Sequence, residues 1–146
     1  MHANNPFSIL REFINTMEYC TEELARQYGV EQLAGPQGLT VTYLLNHQEE
    51  EVFIKDIEKV LHISKSVASG LIKRMEKNGF IEVIPSLKDK RYKQVVLTEL
   101  GLEKAKQTQN FHEALHRLLL ADISQEELTV AHQVFMKIKK NLEKGE

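Results

Sequence analysis

Two stretches carry residue types whose spacing could do chemistry. The first is His112-Glu113-Ala114-Leu115-His116, which matches the H-E-x-x-H pattern of zinc hydrolases letter for letter. Histidines four apart share one helical face and can share a metal, with the glutamate activating water. A catalytic zinc also needs a third protein ligand and a substrate cleft. No H-x-x-G-x-x-H extension follows, and Leu115, Leu118 and Leu119 around the motif have the character of packing residues. The expectation is therefore no enzyme and no cofactor, with His112 and His116 kept only as candidates for a regulatory metal. The second stretch, Ile63–Thr98, holds a different chemistry. Between Lys65 and Lys93 eight Lys and Arg stand against three acids, a net of +5, while the whole chain is −2 and the remainder therefore −7. A basic island in an acidic protein is the footprint of a phosphate-binding face.

The elements that must position this island follow from local patterns. At about 100° per residue, Val67, Ala68, Leu71, Ile72 and Met75 fall on one face of a helix over 64–78 and are expected to bury. Ser66, Ser69, Gly70, Lys73 and Lys77 fall on the other, a small, hydroxyl-bearing and basic surface suited to a DNA major groove. Ser64 is a good N-cap and Asn78-Gly79 a stop, followed by Phe80 where a Schellman cap takes an apolar contact. A shorter helix over about 55–61, with Ile57, Val60 and Leu61 inward, precedes it across the His62-Ile63 turn, making a helix-turn-helix. Strand-like composition at 80–84 and 92–97 brackets the basic segment 86–91, and Pro85 fits a strand end. Helix-turn-helix plus hairpin is a winged helix.

Elsewhere the chain reads as mainly helical. Phe7, Leu10, Ile14, Met17, Leu24 and Tyr28 have helical spacing, and a second helix over about 37–47 has Leu39, Val41, Leu44 and Leu45 as its buried face. Glu49-Glu50-Glu51 reads as a solvated turn, and Val52-Phe53-Ile54 as a short strand. Thr98 caps a fifth helix to about Ala121, and Ser124 to Glu127 is a capping box opening a sixth, with Leu128, Ala131, Phe135, Ile138 and Leu142 as its apolar stripe. These terminal helices have more apolar surface than a small winged helix covers, which implies a partner subunit. The single cysteine, Cys20, excludes an internal disulfide framework. It reads as a small, partly buried side chain, and Glu18, Glu22 and Glu23 nearby disfavour a reactive thiolate. No apolar run reaches a membrane span, and the N-terminus lacks the pattern of a secretion signal, so a cytoplasmic protein with no membrane partner is expected.

In element order the chain resembles the MarR-type winged-helix repressors. Asp89-Lys90-Arg91 followed by Val96-Leu97-Thr98 and Gly101 is similar to that family's D-x-R…L-T-x-x-G signature, and Arg74-Met75-Glu76-Lys77-Asn78-Gly79 to the end of its recognition helix. The resemblance implies a homodimer, intertwined through its terminal helices, that binds pseudo-palindromic double-stranded DNA and answers to a small molecule, an oxidant or a metal. Gly70 and Lys73 depart from the residues common at those positions, a larger residue and an acid respectively. Zinc-responsive relatives imply histidines on the fifth helix. Here His112 falls in that region, but Thr108, Gln37 and Leu39 stand where partners would be.

The fold expected is mainly α with a small β-wing. The winged helix-turn-helix, about 35–98, is flanked by dimerisation helices at about 1–34 and 99–146, all in one domain. The residues expected at DNA are Lys65, Ser66, Ser69, Gly70, Lys73, Arg74, Lys88, Asp89, Lys90 and Arg91. Of these, Ser66, Ser69 and Lys73 are assigned to base edges, Lys65, Lys88 and Lys90 to phosphate, and Arg91, oriented by Asp89, to the minor groove. The alternatives are a winged-helix protein-interaction module without DNA binding, and a zinc hydrolase acting through the HEALH motif.

Overall fold

The structure, a computed structural model, describes residues 5–145. A 3-10 turn, Pro6–Ile9, leads into helix α1 (Leu10–Gln27); α2 (Pro36–Asn46), α3 (Ile54–Leu61) and α4 (Lys65–Lys77) follow. Strands β1 (Ile81–Pro85) and β2 (Lys93–Leu97) pair antiparallel, with Ile81 opposite Leu97 and Pro85 opposite Lys93. Helices α5 (Glu99–Leu119) and α6 (Gln125–Lys144) complete the chain. One compact unit runs to Glu113 and a second begins at Ala114.

The core of the first unit collects Leu33, Val41, Ile57, Leu71, Met75, Val95 and Phe111, each almost fully buried. Local signals define its helix ends. Ser64 Oγ accepts the Val67 N–H at 3.2 Å and starts α4. At the other end the N–H groups of Gly79 and Phe80 donate to the carbonyls of Glu76 and Met75, each at 3.0 Å. Gly79 takes φ +81 and Phe80 is buried, so this is the Schellman cap anticipated from Asn78-Gly79-Phe80. The second unit holds the end of α5 and all of α6, whose N-terminus carries the reciprocal Ser124–Glu127 capping box. No residue of α6 is buried, and Leu118, Val130, Phe135 and Leu142 are exposed.

Several burial expectations are corrected. Val67 is 53% exposed, because the neighbouring Ala68 takes the inward place on that turn of α4. On α3 only Ile57 is fully buried; the chain turns away at His62, in the left-handed conformation (φ 54), and leaves Val60 exposed and Leu61 half-buried. On α2, Leu39 is exposed and Leu45 half-buried, while Gly38, Thr40 and Thr42 are buried instead. The threonines tolerate burial because each hydroxyl donates to the carbonyl four residues back, Thr40 to Pro36 at 2.8 Å and Thr42 to Gly38 at 3.0 Å. Cys20 is exposed, not partly buried.

The strand expected at Val52-Phe53-Ile54 is reduced to one bridge, Phe53 to Gln94. Helix α3 begins at Ile54, where Asp56 accepts the Phe53 N–H at 2.8 Å and draws the chain into a helix. On β2 burial does not alternate as expected, since Gln94 and Val95 are both buried. Val95 faces the core, whereas Gln94 is covered by the 51–53 segment. Glu51, expected in a solvated turn, is instead engaged with the wing.

Candidate nucleic-acid interface

The outer face of α4 presents Lys65, Ser66, Ser69, Lys73 and Arg74 to solvent, with Gly70 half-exposed between them. Among the described residues none of these cations is in an ion pair; Arg74 pairs with neither Glu76 nor Glu82. A Cβ at Gly70 would meet only the end of the Arg74 guanidinium, at 3.4 Å, so no packing within the chain requires glycine there.

The wing loop leaves β1 at Pro85 and returns at Lys93. At its tip Arg91 Nε and Nη2 donate to the two Asp89 carboxylate oxygens at 3.0–3.2 Å and 2.7 Å, and the Arg91 N–H donates to Asp89 Oδ1 at 3.1 Å. The guanidinium beside Asp89 holds its carboxyl below the usual range and is itself raised. The Arg91 side chain is 84% exposed and that of Asp89 34% exposed. The carboxylate therefore orients the arginine without removing it from solvent, the arrangement suited to insertion in a narrow, electronegative minor groove. Lys88 precedes the pair, Lys90 stands between its two members, and both are exposed.

Two hollows adjoin these parts, and the first of them joins α4 to the base of the wing. One of about 310 Å³ brings Lys65 and Ser69 of α4 beside Tyr92, just before β2, Lys93 at its start, and Lys55 and Glu58 of α3. Lys55, Tyr92 and Lys93 were not anticipated. The charge of Lys93 was counted in the basic island, but only the fold brings it against Lys65 and Ser69. Phe53 packs edge-on against Tyr92, centroids 6.4 Å apart, and Lys55 sits 5.8 Å above the Phe53 ring. The second hollow, about 870 Å³, lies between the Gln48–Glu51 turn and Ser86–Asp89 of the wing. Ser66, Gly70, Lys73 and Arg74 line neither.

The signature residues after the wing have a structural task. Thr98 Oγ1 donates to the Gly79 carbonyl and accepts the Gly101 N–H at 2.9 Å, while the Gly101 Cα lies so close to Phe80 that a Cβ would fall 1.8 Å from its carbonyl oxygen. In the HEALH segment, His112 is half-buried with its ring 5.5 Å from that of Phe111, and burial lowers its pKa; His116 is exposed. Among the described residues no three His, Cys, Asp or Glu side chains gather in a metal-binding group, and no helix is long and apolar enough to cross a membrane.

A helix-turn-helix with a basic outer face, followed by a hairpin carrying an oriented arginine, is the architecture of a winged-helix transcription regulator. Residues 32–91 match the sequence profile of the MarR family. The chain is 48% identical to the heme sensor protein PefR of Streptococcus agalactiae, solved with heme, covering 94% of each chain with a TM-score of 0.77. Against a heme-free PefR structure the identity is again 48%, over 94% of this chain and 99% of that one, with a TM-score of 0.85. The MepR–DNA complex of S. aureus shares the fold at 20% identity and a TM-score of 0.76, over 97% and 99% of the two chains. No curated protein matches the sequence. The chain belongs to the MarR family.

Proposed function

We propose that the protein is a homodimeric repressor that binds a pseudo-palindromic operator in double-stranded DNA. Each subunit would set α4 in a major groove and the 86–91 wing in the adjoining minor groove, with the two α4 helices about one helical turn, ~34 Å, apart. The observation that carries this reading is the Asp89–Arg91 pair, a charge held in fixed orientation yet left in solvent beside unpaired lysines. An ordinary surface ion pair would be worth at most about 1 kcal/mol to the fold. Ser66, Ser69 and Lys73 are the base-reading side chains of α4, with Gly70 facing the duplex between them. Lys65, Lys88 and Lys90 hold phosphate, Arg74 flanks the helix toward the backbone, and Lys55 and Lys93 join Lys65 around their shared hollow. The second subunit is supported by the exposed apolar residues of the N-terminal 3-10 turn, α1 and α6, among them Phe7, Phe13, Ile14, Val134 and Phe135. Together α1, α5 and α6 form the dimerisation region on either side of the winged helix. Reducing cytoplasm suits a DNA regulator with one exposed cysteine.

Selection from a random DNA pool tests the assignment: enrichment of a palindrome with half-sites ~10 base pairs apart is expected, and a pool that stays random overturns it. Affinity should also fall steeply with salt, by ~0.9 in log–log slope for each phosphate neutralised, and a flat slope counts against phosphate-dominated binding.

Heme is the effector class this reading favours, from the 48% identity to a heme sensor. Within the chain His112, half-buried on α5 with its ring 5.5 Å from that of Phe111, is the histidine we assign to the iron, since a neutral imidazole nitrogen is a common heme ligand. Bound heme would supply an iron centre whose occupancy alters DNA affinity. In a heme titration, His112→Ala should lose the Soret shift of the wild-type complex. An unchanged Soret band would remove His112 from this role.

A further inference from the structure

We propose that Glu51 is the positioning residue of the wing: its carboxylate gathers the wing's first turn and β2 into one node and thereby sets the direction in which Arg91 meets DNA. This rests on the DNA-binding reading above.

The node draws on segments far apart in the chain. Ser86 Oγ donates to Glu51 Oε1 at 2.5 Å, the Leu87 N–H donates to Oε2 at 2.7 Å, and Gln94 Nε2 donates to Oε2 at 3.1 Å. Ser86 and Gln94 are almost fully buried, 3% and 6% exposed, so their polar atoms need these partners. Ser86 Oγ in turn accepts the N–H groups of Lys88 and Asp89, at 3.1 and 3.2 Å. From Asp89 the path continues through its carboxylate to the Arg91 N–H and guanidinium. A continuous series of hydrogen bonds therefore runs from the turn before α3 to the arginine at the wing tip.

The chemistry requires a carboxylate. Two backbone amides occupy both lone pairs of the Ser86 hydroxyl, so its proton must point at an acceptor on residue 51. The Leu87 N–H and the Gln94 amide need an acceptor at the other oxygen. A glutamine at position 51 has only one acceptor atom. Whichever way it lies, its NH₂ faces a donor. No α4 residue lines the hollow at Glu51, and its carboxylate is taken up by Ser86, Leu87 and Gln94, so Glu51 acts through Arg91 and is not itself a DNA contact. Burial of Ser86 and Gln94 against it anchors a segment that carries four charges, Lys88, Asp89, Lys90 and Arg91.

The test uses the full-length chain and its selected operator. Four proteins are compared: wild type, Glu51→Gln, Arg91→Ala and the double variant, by fluorescence anisotropy, thermal melting and amide hydrogen exchange. Glu51→Gln should weaken operator binding by about tenfold and add little to Arg91→Ala, because both remove the same oriented guanidinium. Base preference beneath the wing should relax while preference under α4 persists. Wild-type affinity in Glu51→Gln, or a loss fully additive with Arg91→Ala, overturns the proposal. Should Glu51→Gln fail to fold, Ser86→Ala breaks the path to Asp89 and leaves the other two Glu51 contacts; the same non-additivity is required of it. A wild-type protein with no sequence-selective binding would sink the DNA reading. The node is then judged by exchange alone: the Lys88 and Asp89 amides should exchange faster in Glu51→Gln, and unchanged rates overturn the role of Glu51.

Discussion

The hydroxyl of Thr98 donates to the carbonyl of Gly79 at 2.5 Å, and so ties the stop of α4 to the start of α5. Gly101 makes the approach possible, since its missing Cβ leaves room for the Phe80 carbonyl. Gly101→Ala should cost about 1–3 kcal/mol or more, as overpacking against unyielding backbone does. A melting temperature equal to that of wild type would refute the close approach.

The oriented arginine of the wing makes a sharper statement about binding than about folding. Arg91→Ala should leave the melting temperature within error, because exposed pairs contribute little, and should weaken binding to every operator by about tenfold, ~1.4 kcal/mol. Anisotropy at constant salt measures the second quantity. Wild-type affinity would end the minor-groove assignment.

Gly70 separates folding from binding in the opposite direction. Alanine there should stabilise α4 by up to about 1 kcal/mol, since only the mobile end of Arg74 lies within reach of a Cβ. Thermal melting reads this gain. If the duplex packs against the Gly70 backbone, the same variant loses operator affinity despite being more stable. Equal affinity would mark the position as unconstrained.

Acid should weaken the fold through His112. Its folded pKa lies below the ordinary 6.5 because burial disfavours the imidazolium. Between those two values the unfolded chain binds more protons than the folded one, so stability falls as pH drops below about 6.5. His112→Leu should flatten that part of the profile, measured by chemical denaturation between pH 7 and 5.5. An unaltered slope would assign the dependence to other groups.

What could be read from the sequence was what is encoded over three or four residues. Ser64, Gly79, Thr98 and the Ser124–Glu127 box end or begin helices within one turn, and all four act as their types predict. The Asp89–Arg91 pair is likewise local, two residues apart. What escaped depends on distant packing. Which of Val67 and Ala68 turns inward, or whether Leu39 or Thr40 is covered, is decided by neighbours outside the helix. Glu51 escaped for the same reason: its partners lie 35 to 43 residues away, and in the sequence it is the last of three identical acids. Lys55, Tyr92 and Lys93 join Lys65 and Ser69 only through the fold.

Among the described residues β1 pairs with β2 on one side only, while β2 is covered on its far side by the Phe53 bridge. The outer edge of β1 is thus a short row of backbone groups open to another chain. An open edge invites strand-to-strand association. This one is five residues long, carries the exposed charge of Glu82 and ends in Pro85, which has no N–H to offer. Those features oppose edge-to-edge pairing of one wing with another. Replacing Glu82 and Pro85 with β-branched residues would turn a solitary hairpin into a self-associating one.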